Sequence, residues 1–457
     1  MIAEAPCGET ARNVDVVLIG AGLAGLTAAW RLYRAGVTSL AVLEAQDRVG
    51  GRTLNRPAEL AGYVEQGGTW VGPTHRHLLA LAKEIGVGIR RGKPEGKTFY
   101  RDKGQWTQVD AREGEAPGAA QEDFQRALAA FERLSNTINT EAPWRSPNAV
   151  ELDRTTVGDW IERNTRTAEG KALFEGCIRK MQGGDPHAVS LLWMLQFVGS
   201  ATFRDLLDTA EDYRFVGGSQ SVSLKLAEAL GPRVVLNAPV IRIEGYMGDG
   251  VAVHTAQQSW RAQRAIIAAM PACLRRVAFN PPLPREHRKM IADWATMSWL
   301  KFNAVYPKPF WRDRTIGSQF LCLDRRVEAF DISPKDESWG ELVGFLLPDS
   351  LGREVADRAN FCLEFLRDVY GEGADRPAAI SITDWQDNPW IGGCVSALPP
   401  GLLTDAKQGL SAGVGRLEWA GSERSDVWVN YMEGAVRSGE RAARNVLAAL
   451  AVQSVRA

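Results

Sequence analysis

The stretch VDVVLIGAGLAGLTAAWRLYRAG, residues 14–36, constrains this chain more than any other. An apolar run from Val14 to Ile19 meets a glycine cluster, and helical spacing of apolar residues follows from Leu23 to Tyr33. This predicts a strand, a tight turn and a helix. A second apolar run, Leu40 to Leu43, follows Gly36 and ends at Glu44, which completes a βαβ unit and implies a parallel sheet.

Gly20, Gly22 and Gly25 make the spacing GxGxxG at the strand-to-helix turn. Small residues there let the backbone approach a pyrophosphate, and the helix N-terminus offers N–H groups to its charge. The spacing alone is weak, but Glu44 stands at the end of the next strand, where a carboxylate can accept hydrogen bonds from a ribose diol. Adenine dinucleotide binding follows, and a 2′-phosphate, which Glu44 would repel, does not.

The chain has 457 residues, 45% hydrophobic and 24% charged, with 54 Lys and Arg against 55 Asp and Glu. A net charge of −1 gives no electrostatic footprint for nucleic acid or an anionic membrane. Six cysteines, at 7, 177, 273, 322, 362 and 394, form neither a CxxC pair nor a zinc-like cluster, so no metal site and no disulfide framework is expected. The opening lacks the basic start and apolar run of a secretory signal, and no window has the length of a charge-free membrane span. A cytoplasmic, soluble protein is the expectation. The sequence does not fix the oligomeric state and leaves a homodimer open.

Later segments return to the first sheet: Val234 to Ile243 alternates like a strand, Ala265 to Ala269 and Leu417 to Ala420 are short apolar runs, and Gly434 to Leu450 is an amphipathic helix. Ala119 to Asn139 and Thr155 to Gln196 read as helical, and Arg91 to Pro117 as exposed loops. The expected fold class is therefore α/β. A Rossmann-like dinucleotide-binding domain is assembled from 12–89, 214–290 and 386–450, and a second, α+β substrate-binding domain from 90–213 and 291–385.

Two further glycine pairs follow, in QDRVGGRT (46–53) and EQGGTWVGP (65–73). They exceed what a nicotinamide dinucleotide needs and suit a flavin dinucleotide buried lengthwise, with Arg52 offering charge-assisted hydrogen bonds to phosphate. Together with VVLIGAGLAGLTAAWRL, LEAQDRVGGRT, RFVGGSQSV, LKFNAVYPKPFW, GGCVSALPPG and WAGSERSDVWVNYMEGAVRSGERAA, they make the sequence resemble the flavin-containing monoamine oxidase family from Val14 to Leu450. Gln46 stands where that motif usually has arginine.

The resemblance implies FAD as cofactor and amine oxidation as chemistry, with dioxygen as acceptor. By the family's pattern Gly51, Gly68, Thr69, Val240 and Trp385 would contact the cofactor, as would Gly421, Ser422, Glu423 and Met432. Lys301 matches the lysine that holds a water against the flavin N5 and assists reoxidation. Cys394 matches a position where several members bind the flavin through a thioether, so covalent FAD is expected there; a free buried thiol is the competing reading. Tyr431 matches one wall of an aromatic cage for the amine. The second wall is expected at the next residue after the cysteine, which here is Val395. Trp428, Trp390 or Trp385 could supply the missing face, or pack around the isoalloxazine ring. Glu211 could approach the cavity and pair with a second cation on a diamine, though a solvated helix-end carboxylate competes. His75 and His77 read as surface residues without a role.

The resemblance also implies a mechanism. An alkylamine with pKa near 10.4 must lose its proton; desolvation lowers a buried amine by about 3–5 units, whereas a cation–π contact holds the charged form by only about 0.5–2 kcal/mol. Desolvation wins. The free base passes hydride to flavin N5, the imine hydrolyses, and dioxygen takes the electrons as hydrogen peroxide. An L-amino-acid oxidase would need a cationic clamp for the substrate carboxylate, a dehydrogenase would use another acceptor, and a non-enzymatic flavin-binding scaffold would not respond to amines.

Overall fold

The computed structural model describes residues 11–92, 98–102, 105–109, 119–202, 205–312, 319–322, 327–346, 355–410 and 412–456. Val16, Val17 and Leu18 have no exposed surface in the strand Arg12–Ile19. Truncating one such leucine to alanine costs about 2–5 kcal/mol, so this strand anchors the layer built on it. It pairs in parallel with Leu40–Leu43 on one side and Ser259–Ile267 on the other, the βαβ arrangement predicted.

Among the described residues this sheet has eight strands, six joined in sequence-distant order from Val234–Val235 through Leu40–Leu43, Arg12–Ile19, Ser259–Ile267 and Val251–Thr255 to Val240–Glu244, with Ala278–Asn280 at the edge and Leu417–Trp419 beside Ser259–Ile267. The pairings are parallel except those of Val251–Thr255 with its two neighbours. The fold is a mixed α/β one with a parallel-strand sheet.

Helix Leu23–Arg34 lies against the C-terminal helix Met432–Arg456 so closely that a Cβ on Gly439 would stand 2.4 Å from the Ala24 carbonyl oxygen. Only glycine fits this crossing. The last helix is therefore fixed to the first, which brings Tyr431 and Met432 to the mouth of the glycine turn.

Three local expectations are corrected. Val234 to Ile243 is not one strand: Asn237 takes φ 54° and Pro239 follows, so the chain turns between Val234–Val235 and Val240–Glu244. Arg91 to Pro117 is not loop throughout, because Thr98–Asp102 and Gln105–Val109 pair as a hairpin; 93–97, 103–104 and 110–118 lie outside the described residues. The helical run Thr155 to Gln196 divides into Val157–Asn164, Ala168–Gln182 and Leu191–Gly199, the first capped by a reciprocal Thr156 and Asp159 pair and the second ended by Gly183 at φ 68°.

A second, seven-stranded sheet runs Ala379–Thr383, Leu300–Tyr306, Gly340–Leu346, Val327–Asp331, Gln319–Cys322, Thr98–Asp102, Gln105–Val109, antiparallel except where Thr98–Asp102 meets Gln319–Cys322. Its register sets the site. Thr383, Lys301, Phe345 and Glu328 are direct neighbours across four strands and share one face.

Candidate active site

A groove opens at the C-terminal end of the parallel strands, where the glycine turn meets the last helix. Gly20 sits at φ 103°, and a Cβ there would stand 2.9 Å from the Ala268 carbonyl oxygen. A Cβ on Gly25 would meet the Gly20 oxygen at 2.0 Å, so this glycine packs the turn rather than lining the groove. Helix Leu23–Arg34 starts at Gly22 without a side-chain cap and without an acid in its first turn. That N-terminus is suited to an anion.

Glu44 closes the groove on the adenosine side. Its carboxylate accepts the N–H of Ala21 at 2.8 Å and that of Gln46 at 2.9 Å. Burial pushes Glu44 above its ordinary pKa, and the two N–H donors pull against that shift. Gln46, the departure from the family pattern, accepts at Oε1 from Asn388 Nδ2 at 2.9 Å.

Arg52 spans the middle of the groove. Its guanidinium donates to the Cys394 carbonyl, to Ser422 Oγ and to Glu423 Oε2, each at 2.9 Å. Burial pushes Glu423 up, but Arg52 and the Ser422 hydroxyl outweigh it and leave the carboxyl below its ordinary pKa. Arg52 therefore joins three segments of chain here, and its charge is already shared with Glu423. Gly51, Gly68, Val240, Trp385, Gly421 and Met432 line the same groove, as do Cys394 and Val395. Cys273, Met270, Arg276 and Asn430 line it too and carried no sequence signal, being single residues in irregular segments.

These features fit an extended dinucleotide: a cap-free helix N-terminus and a close glycine turn for pyrophosphate, an acid for the ribose, and a long slot ending among aromatic rings. The slot would hold FAD with its ring system toward Cys394, Trp385 and Tyr431.

Lys301 is buried between Trp70 and Phe345, its ammonium 5.6 Å from the centre of each ring. It donates to the Gly67 carbonyl at 2.8 Å and to Thr69 Oγ1. Burial lowers its pKa to about 8, with Glu65 opposing and Arg214 assisting that shift. Beneath it lies an ion cluster that sequence reading missed: Arg214 Nε donates to Glu65 Oε2 at 3.0 Å, and Ser219 N–H to Glu65 Oε1 at 2.7 Å.

At the far end, Trp428 and Asn430 hold left-handed conformations, φ 53° and 67°, in a turn pinned by Ser200. The Ser200 carbonyl accepts from Trp428 N–H at 2.9 Å and its hydroxyl from Val429 N–H at 3.1 Å. Non-glycine residues in this region store strain that the surroundings must hold. The turn stacks Tyr431 against Phe197, centroids 6.1 Å apart, and sets Trp428 edge-on to Tyr431 at 4.8 Å. Phe197, unforeseen from sequence, and Trp428 thus flank Tyr431. Trp390 also lines the groove, 39% exposed and with the Arg276 guanidinium 5.5 Å from its ring, but it makes no ring contact with the Tyr431 cluster among the described residues. Trp385 is buried beside Leu54, Ile391 and Cys394.

Glu211 acts electrostatically on Tyr431, whose hydroxyl is pushed up first by burial and then by this carboxylate, and on Lys180. Lys180, from helix Ala168–Gln182, reaches Glu328 at 3.1 Å and stands 5.7 Å from the centre of the Phe330 ring. Burial lowers the Lys180 pKa, but Glu328 and Glu211 outweigh it and leave the amine above its ordinary value.

The histidine expectation needs correction. His75 is not a surface residue: it is 1% exposed, accepts the Gly72 N–H at Nδ1 at 3.0 Å, and meets Trp428 edge-to-face at 4.3 Å. His77 does reach the surface, with Nδ1 2.6 Å from Glu440. No group of three or more metal-ligating side chains occurs among the described residues, and no described helix is long and apolar enough to cross a membrane.

Comparison with known proteins gives the same direction. The family model described as flavin containing amine oxidoreductase matches residues 23–447. Bovine flavin-containing amine oxidase B is 32% identical, covering 95% of this chain and 86% of its own. An L-amino acid dehydrogenase of Synechocystis is 31% identical, covering 97% and 98%. The solved structure of cyclohexylamine oxidase from Brevibacterium oxydans IH-35A superposes with a TM-score of 0.90 at 31% identity, covering 96% of this chain and 99% of its own.

Proposed function

Because the chain belongs to the flavin-containing amine oxidoreductase family, we propose that it is an FAD-dependent oxidase of a primary or secondary amine. The products are an imine, hydrolysed in water to an aldehyde or ketone, and hydrogen peroxide. The observation that carries this reading is a groove lined by both Cys394, to which a buried lysine is electrostatically coupled, and Tyr431 with its aromatic cluster. When bound, FAD supplies the redox chemistry, taking a hydride from the carbon bearing nitrogen and returning the electrons to dioxygen.

The chain's own residues prepare the reactants. Tyr431, with Phe197 and Trp428 behind it, gives an apolar wall that strips water from the amine and so favours its neutral, reactive form. The α-hydrogen is then oriented toward the groove by contact with that wall rather than by an ion pair. Lys301 donates one N–H to the Gly67 carbonyl and one to the Thr69 hydroxyl and keeps, by valence, a third N–H for a water or for dioxygen on its way to peroxide.

Cys394 lines the groove at the place where a thioether to FAD would form, and we include that bond in the proposal. Burial pushes the thiol above its ordinary pKa, and the cations Arg52 and Lys301 offset only part of that shift. Acid precipitation should leave yellow colour in the pellet, and in Cys394→Ala the colour should move to the supernatant; a colourless wild-type pellet removes the covalent bond from the proposal.

The L-amino acid reading has the Synechocystis relative in its favour, but among the described residues Lys180, the cation coupled to Glu211, is engaged by Glu328 at 3.1 Å. Anaerobic mixing with a panel of amines and the matching L-amino acids decides between them. Bleaching of the yellow colour by the amines and not by the zwitterions is expected. Bleaching only by amino acids, or by none of the panel, would falsify the proposal, and bleached protein that reduces a dye quickly but forms peroxide slowly would make it a dehydrogenase.

A further inference from the structure

Among buried polar groups that the proposed reaction leaves unused, His75 stands against the aromatic wall. Its position is fixed by the chain. Residue 75 is the N-cap of helix Arg76–Glu84, and the turn before it closes twice, His75 N–H donating to the Gly72 carbonyl at 3.1 Å and Gly72 N–H to His75 Nδ1 at 3.0 Å. Since Nδ1 accepts, the ring hydrogen of the neutral form sits on Nε2. Nε2 is buried and has no nitrogen or oxygen partner.

What the ring touches explains its presence. Its plane stands 83° to that of Trp428 with centroids 4.3 Å apart, and its centroid is 5.8 Å from that of Tyr431. Edge-to-face packing against an indole is a favourable place for a ring edge or an N–H that has no other partner. Trp428 itself sits at φ 53°, a conformation that must be held from outside, and Ser200 holds only its backbone. The His75 ring, by contrast, packs on the indole itself.

The same short segment serves the other end of the site. Thr69, six residues before His75, accepts from Lys301, and Trp70 lies over that lysine. The turn from Thr69 to His75 therefore touches both the lysine and the aromatic wall.

We propose that His75 is a positioning residue of the amine site, a neutral imidazole that braces Trp428 from behind and so fixes the face that Tyr431 presents to the substrate. The inference rests on the amine-oxidase reading for its kinetic consequence, but not for its structural one. Burial, which lowers the imidazole pKa to about 4 against the opposing charge of Asp205, agrees with a ring that stays uncharged at neutral pH.

Two substitutions separate ring from hydrogen bond. His75→Asn keeps an acceptor for Gly72 N–H and removes the ring; His75→Phe keeps a ring edge for Trp428 and removes the acceptor. With flavin-loaded protein we expect His75→Asn to lower kcat/KM for the best amine about tenfold, mostly through KM, and to alter the near-ultraviolet circular dichroism of the aromatic cluster. His75→Phe should recover most of the rate and the spectrum. A double-mutant cycle with Trp428→Phe should show the two changes to be non-additive by about threefold or more, the signature of contacting side chains. The proposal is overturned if His75→Phe is as impaired as His75→Asn, if the cycle is additive, or if the dichroism of His75→Asn matches wild type. Melting temperatures of both variants are read alongside: should His75→Asn fail to fold, a folded His75→Phe with wild-type spectrum supports the brace, and a folded His75→Phe with a lost aromatic signal refutes it. A wild type that oxidises no amine would remove the functional reading while leaving the dichroism test in force.

Discussion

Lys301 carries a charge that its surroundings resist. Burial, with Arg214 assisting and Glu65 and Glu341 opposing, sets a folded pKa of about 8 against the ordinary 10.5 and makes the protonated form costly by roughly 3 kcal/mol. The sign follows from linkage. The cost is present in full below pH 8, where folded and unfolded chains both hold the proton, and fades as pH rises toward the unfolded value, so this group makes stability climb with pH in that window. Replacing it by methionine removes the cost but leaves the Gly67 carbonyl and Thr69 hydroxyl without a donor, about 1–3 kcal/mol. The two terms nearly cancel. Lys301→Met should therefore melt within a few degrees of wild type while oxygen-dependent peroxide formation falls about a hundredfold, the usual worth of one charged donor at a developing anion. In wild type, with dioxygen limiting, the rate should decline as pH rises through about 8, and stopped-flow reoxidation of the variant should be flat there. An unchanged reoxidation rate in the variant would remove Lys301 from that role.

Elements explain which residues sequence reading could place. The glycine turn, Glu44 and the strand before them were legible because their meaning is local: spacing, an apolar run and a helix start lie within one unit. Arg52 was legible as a groove residue, yet its pairing with Glu423 was not, since the two are 371 positions apart. His75 was misread as exposed because its neighbours in sequence, Thr74 and Arg76, are polar, whereas its burial comes from Trp428 and Tyr431 on the turn before the last helix. Glu328 was missed for the same reason: its strand neighbours give no hint that cross-strand register puts it in line with Lys301, or that a helix delivers Lys180 to it. That ion pair makes a prediction at the level of elements. Lys180→Met strips the counter-ion from a nearly buried carboxylate, and a substrate bearing a second ammonium can replace it. The variant should lose about 1–3 kcal/mol of stability in denaturant melts. Its kcat/KM ratio for a diamine over the monoamine of equal length should rise about tenfold, the worth of some 1.4 kcal/mol. A ratio that stays put would show that Glu328 and Lys180 do not face the bound amine's tail.

At the scale of the molecule, the groove is a seam. Its walls come from Ile19–Ala24, Leu43–Thr53, Ala238 and Val240, Ala268–Val277, Trp385–Val395 and Gly421–Ala435, so segments separated by hundreds of residues face one another across it. Direct bonds also cross the seam, such as those of Arg52 to the Cys394 carbonyl and to Glu423. A dinucleotide lying in the slot would touch every one of these segments at once. Any ligand that binds the folded chain and not the unfolded one stabilises by RT ln(1 + [L]/Kd), about 4 kcal/mol at a thousandfold excess over Kd. FAD should therefore act as a structural member as well as a reagent. In Cys394→Ala, where exchange is open whether or not the native chain is covalently loaded, removing the flavin should lower the melting temperature by several degrees. Adding FAD back should raise stability by about 1.4 kcal/mol for each tenfold increase above Kd. Glu423→Gln in the same background should weaken both effects, because Arg52 then loses the carboxylate that holds it across the seam. Differential scanning calorimetry over a series of FAD concentrations checks all three, and a melting temperature indifferent to FAD would mean that the segments hold together without it.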